Sequence, residues 1–234
     1  MGRHATLLQL RKNFEADLKS AQKLVAAVRP LMAANPKLTP RSLHTKQVYR
    51  VVELAFLGVV AEWETFIEES FVRYLTGVAS PNGVKPQLNA GKASNIEHSY
   101  QVISQNPAYD PASHYLKFGD PKWTHSQAKF FFANAGTFSC IHTDIARLQE
   151  AVKLRNRAAH NSEKCKADFK EVALSYIAPA NSQLPQGYRL GELLSQPATR
   201  HFGNAAKNGD YFEVFIQLYT KLALQVAPSL LPRT

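Results

Sequence analysis

Residues 54–75 read LAFLGVVAEWETFIEESFVRYL, and the spacing within them decides the fold class. The stripe extends in both directions. Val48, Val51, Val52, Ala55, Val59, Trp63, Phe66, Ile67 and Phe71 recur at helical steps, so the pattern predicts one long helix over 43–77, closed by Gly77. Its apolar face is wide. That predicts a helix at the centre of a bundle, or one facing both a core and a partner.

Working outward, Leu7, Leu10, Phe14, Leu18, Ala21, Val25 and Val28 step by three and four, which predicts a helix over 5–34 stopped at Asn35-Pro36. A third helix is expected over 138–160, on Ile141, Ile145, Leu148 and Val152. Others are expected over 163–177 and 209–226, with short ones over 94–105 and 125–134. Prolines and glycines crowd 78–94, 106–124 and 178–206, which read as loop. The run Phe130-Phe131-Phe132 is expected to pack in the core rather than stack on bases. No strand pattern and no repeat are evident. The expectation is a single all-α domain, 1–234, of four to five main helices with two long loop-rich insertions, about 78–137 and 178–208.

Composition narrows the function. The chain holds 28 Lys and Arg against 18 Asp and Glu, a formal charge of +10. Such an excess favours polyanionic partners and says nothing of fold. The basic residues are scattered, which describes a surface rather than a basic tail. Two cysteines, Cys140 and Cys165, make neither a CxxC pair nor a disulfide framework. His98, His114, His125, His142 and His201 lack ligand spacing, so no metal and no cofactor are expected. There is no apolar span of membrane length and no leader pattern, so the expected setting is the cytoplasm, away from membranes. No P-loop or GxGxxG is present.

The anomaly lies in the third helix. Continuing its stripe past Val152 reaches Arg155 and Ala159, so Arg155 is expected to face the core or a partner, where a lone charge is costly unless paired. Asn156 and His160 are four apart and share a face, and Arg157 neighbours His160. Arg155 points about 140° from His160 at the ideal step of about 100° per residue. One straight helix therefore does not bring the two together, whereas a two-fold partner would place two Arg and two His in one cleft. Arg and His are what metal-free RNA cleavage needs: an imidazole to move the proton and a guanidinium to hold the charged phosphorane. On spacing alone, a histidine near a helix end and an arginine paired with a buried glutamate account for the same residues.

The segment 154–161, LRNRAAHN, resembles the R-x4-6-H signature of the HEPN superfamily in its R-N-x-x-A-H form, through Arg155, Asn156, Ala159 and His160. The helix at 54–75 resembles the long glutamate-bearing helix of that superfamily, closest to its RiboL-PSP-HEPN and related prokaryotic groups. The resemblance covers roughly 43–75 and 138–176. It implies a helical bundle, a homodimer and a composite site in which Arg155 and His160 are catalytic with Asn156 supporting. It also implies an endoribonuclease acting on RNA as a toxin or defence effector, under an antitoxin or other regulatory protein. Glu62 and Glu64 are the candidates for the supporting acid of the helix, Glu62 lying closer to the stripe, and Arg157 is a further supporting residue. The alternative is a non-catalytic RNA-binding or protein-interaction module of the same superfamily.

Overall fold

The computed structural model describes residues 5–35, 41–178, 183–198, 202 and 209–229. Helix accounts for 67% of the described residues and strand for 4%, so the chain is all-α. The helices are α1 (Leu7–Val28), α2 (Thr45–Leu75), α3 (Ile96–Ser104), α4 (Pro121–Phe131), α5 (Cys140–Thr143), α6 (Ile145–Ala159), α7 (Glu163–Ile177), α8 (Leu190–Leu194) and α9 (Tyr211–Val226). Among the described residues no helix is long and apolar enough to cross a membrane. Helix α1 ends at Val28, where Arg29–Leu31 turns 3-10 with Pro30 in its first turn, short of the expected end at 34; Pro36, His201 and part of the 178–208 excursion lie outside the described residues.

The chain forms two compact units. The first comprises Met1–Glu15, Glu62–Gln149 and Thr220–Thr234; the second comprises Ala16–Ala61 and Glu150–Tyr219.

The first unit is built on an aromatic core. Phe71 of α2 meets Phe118, Phe131, Phe132 and Phe138 at centroid distances of 5.3, 6.1, 5.0 and 5.0 Å, within the range where aromatic pairs attract. The run at 130–132 thus divides: Phe131 and Phe132 are core, and Phe130 is 66% exposed. Helix α4 starts four residues before the expected 125. Pro121 takes its first turn, where a missing N–H costs nothing, and Asp120 caps it by accepting from the Lys122 amide at 2.9 Å. Pro121 is a start signal here rather than part of a loop.

The helix expected over 138–160 is interrupted. A 3-10 segment (Ala133–Ser139) leads into α5, and Asp144 leaves helical geometry before α6 begins. The Asp144 carboxylate accepts from Lys221 at 2.7 Å. The break shifts the register. The buried residues of α6 are Leu148, Ala151, Leu154 and Ala158, while Val152 is half-buried, Arg155 half-buried and Ala159 exposed. Arg155 therefore borders the buried face and does not continue it.

The second unit packs Phe56 of α2 on Phe215 of α9 (5.2 Å) and Tyr176 of α7 on Tyr211 (4.6 Å). It also holds an element with no sequence signal, a parallel pair of two-residue strands, β1 (Met32–Ala33) and β2 (Leu43–His44). Two residues are too few to leave an alternation. In α2 the expected stripe is buried except at Val51, which is half-buried. From Ser70 to Leu75 every residue is buried, so at that end of α2 burial runs all round the helix.

Candidate functional site

His160 follows the last residue of α6, and its amide closes the final turn on the Asn156 carbonyl at 2.8 Å. Ser162 then caps α7, accepting from the Cys165 amide at 3.2 Å. The joint leaves His160 and Asn161 exposed. Arg157 braces it from the preceding turn, donating to the His160 carbonyl at 3.2 Å and to Asn161 Oδ1 at 3.1 Å.

This joint forms one wall of a cleft of about 580 Å³ in the second unit, within the range of small-ligand sites. Arg50 and Glu53 line it from α2, Arg157 and His160 from the α6 joint, and Tyr188 and Arg189 from the segment before α8. Three guanidiniums and one carboxylate make it a basic cleft.

Glu53 is 9% exposed, and a buried carboxylate must be met by donors. Its Oε2 takes Arg50 Nη1 at 3.0 Å and its Oε1 accepts from the Gly191 amide at 3.2 Å. Residue 191 must be glycine: a Cβ there would collide with the Tyr49 main chain, including its carbonyl. Through these contacts Glu53 holds both the Arg50 side chain and the start of α8, and with it the segment that carries Tyr188 and Arg189. Arg50 also reaches the Ala158 carbonyl at 3.5 Å, a weak contact at one of the last carbonyls of α6.

The segment before α8 carries two donors with no partner among the described side chains. Arg189 is exposed and bonds to none of the described side chains. The Tyr188 hydroxyl is buried with no hydrogen-bond partner among the described residues. Burial, followed by the charge of Glu192, pushes its pKa up, so it remains a neutral donor.

The sequence-predicted residues fall into three groups. Arg157 and His160 line the cleft together. Arg155 and Asn156 bond to each other, Arg155 Nη1 donating to Asn156 Oδ1 at 2.9 Å, and neither lines the cleft. Glu62 and Glu64 belong to the stretch of α2 in the first unit. Glu62 is exposed, on the face it shares with exposed Gly58 and Thr65, so it does not lie along the stripe. Glu64 is half-buried and sits over Gly119, where an added Cβ would come within 2.8 Å of its carboxylate.

The acid of the cleft, Glu53, is the residue that sequence reasoning missed. A signal was present: Glu53 heads the series Phe56, Val60, Trp63 and Ile67 at steps of three and four, all buried. Among the described residues no group of three or more His, Cys, Asp or Glu side chains could hold a metal ion. His125 and His142 stack at 4.8 Å as a pair only.

No family model, no curated protein and no solved structure matches this chain.

Proposed function

We propose that the chain is a metal-independent endoribonuclease of the HEPN type, working as a homodimer, with His160 as the proton-transfer group. The observation that carries this reading is the placing of His160, exposed, in a cleft shared with Arg50, Arg157 and Arg189. An imidazole exchanges protons near neutral pH, and guanidiniums are suited to a phosphodiester.

In the reaction, the 2′-oxygen of a ribose attacks the adjacent phosphorus while its proton passes to a neutral His160. The bond from phosphorus to the 5′-oxygen breaks, and that oxygen takes a proton from an imidazolium. The products are a 2′,3′-cyclic phosphate and a 5′-hydroxyl. One imidazole cannot begin as both base and acid, and a two-fold copy supplies the second. The same copy supplies the Arg155 that the local geometry keeps out of this cleft. Arginines around the phosphorane stabilise charge that grows in the transition state. An unpaired strand fits best, because its backbone is open to a cleft of this kind. A protein of this kind, acting as a toxin or defence effector, requires a partner that restrains it.

The test is to incubate the purified protein with single-stranded RNA in EDTA and to read the ends. Cyclic or 3′-phosphate ends facing 5′-hydroxyls are expected. Products bearing 5′-phosphates, or cleavage that requires an added divalent ion, contradict the reading. RNA affinity without any cleavage returns the chain to a binding module.

A further inference from the structure

A second cleft, of about 560 Å³, lies wholly within the first unit, in the segment 103–127. Its lining includes Gln105, Tyr109, Tyr115, Lys117, Trp123 and Gln127. Three observations mark it as built for a ligand.

The first is an orphaned donor. Tyr109 is 7% exposed, and its ring is fixed between Tyr100 (5.8 Å, 8° between planes) and His114 (5.4 Å). Its hydroxyl is nevertheless buried with no hydrogen-bond partner among the described residues. A buried hydroxyl left unmet is costly. Burial and the nearby carboxylates of Glu68 and Asp110 raise its pKa, so it stays a donor at neutral pH.

The second is an aromatic surface left open. Tyr115 is 85% exposed, and Trp123 is half-buried and held edge-on to Phe118 at 5.2 Å.

The third is a pair of carboxamides with unused hydrogen-bonding capacity. Gln105 and Gln127 bond to none of the described groups through their side chains. Gln105 also occupies the left-handed region, at φ 55°, a helix-ending position where glycine or asparagine is usual. A glutamine there carries backbone strain, and the residue lines the cleft.

Aromatic faces recognise planar rings. Carboxamides, which donate and accept side by side, recognise the edges of heterocyclic bases. Lys117, exposed and without an acidic partner among the described residues, adds a cation for a phosphate. We propose that this cleft binds a nucleobase with its phosphate, the ring stacking on Tyr115 and Trp123, the edge read by Gln105 and Gln127, and the Tyr109 hydroxyl, closed off in the free protein, uncovered by a small shift of the lining to donate to the ligand. The base comes either from a free nucleotide or from an unpaired strand. This site is independent of His160 and of the RNA-cleavage reading, and either can fail alone.

The experiment titrates the full chain with AMP and UMP by calorimetry, and the His160→Ala chain, to prevent turnover, with ten-residue oligoadenylate and oligouridylate. Tyr115→Ala is expected to weaken binding about tenfold or more, as loss of a base-stacking partner does. Tyr109→Phe is the sharper variant. It should weaken binding while leaving Tm unchanged or higher, because it removes a hydroxyl that the free protein leaves unmet. Saturable binding of mononucleotides with these effects assigns a nucleotide pocket. Saturation by the oligonucleotides alone, with the same effects, assigns a base taken from a strand. The proposal is overturned if neither probe saturates, if both variants bind like wild type, or if glucose displaces AMP at equal concentration.

Discussion

Glu53 accepts a hydrogen bond from the Gly191 amide at 3.2 Å, joining α2 to α8 across 138 positions of sequence. The other oxygen of the same carboxylate holds Arg50. One buried acid thus positions a cleft arginine and the backbone that leads to Tyr188 and Arg189.

Removing that acid should be felt in stability. Glu53→Ala leaves the Gly191 amide without its acceptor, at a cost of about 1–3 kcal/mol. The Arg50 side chain is 52% exposed, so loss of its ion pair adds little. For a chain of this length the expected fall in Tm is about 2–12 °C. Glu53→Gln keeps an acceptor and should lose less. Thermal unfolding of both variants decides the matter, and a Glu53→Ala protein that melts with wild type would show that the contact carries no weight.

Gly191→Ala should be worse than either. The added methyl meets the Tyr49 main chain, which cannot swing aside as a flexible side chain can. The expected loss is about 3 kcal/mol or more, read from denaturant midpoints at constant m-value. Gly58, on the same helix as Glu53, has nothing within 4 Å of an added Cβ, so Gly58→Ala serves as the control and should be neutral or slightly stabilising.

Alkaline pH should destabilise the first unit. Burial pushes the Tyr74 hydroxyl from 10.0 up to about 12 and the Cys140 thiol from 9.0 up to about 12. Tyr74 donates to the Val226 carbonyl at 2.7 Å and Cys140 to the Thr137 carbonyl at 3.3 Å. Each folded-state value lies above the unfolded one, so the neutral form is favoured by folding. The contribution is therefore complete below about pH 9 and lost as pH rises towards 12. Unfolding free energies at pH 8, 10 and 11 should fall in that order, less steeply in Tyr74→Phe. The raised thiol predicts that iodoacetamide at pH 8 modifies half-buried Cys140 far more slowly in the native protein than in denaturant. Rapid native alkylation of Cys140 would contradict this environment.

Helix content was legible because periodicity over long windows reports burial directly. The α7 bounds, Glu163–Ile177, match the expected 163–177. What failed was local. The apolar steps from Ile141 to Val152 run through Asp144, where the helix breaks, and small buried residues such as Ala151 and Ala158 give a weaker signal than half-buried Val152. That placed Arg155 on the core face and left Leu154 off it. The joint after α6 was legible from Arg157, His160 and their spacing. Its surroundings were not: Arg50, Glu53, Tyr188 and Arg189 reach the cleft from segments far apart in sequence, and the one local signal is Glu53 at the head of a buried series.

The most direct test of the central claim compares wild type with His160→Ala on one single-stranded RNA, in EDTA, under single-turnover conditions. His160 is exposed, so its replacement should leave the melting temperature and RNA affinity close to wild type. Loss of general acid–base catalysis should slow cleavage about 10²–10⁴-fold. Cleavage at the wild-type rate by a folded His160→Ala protein would contradict the account.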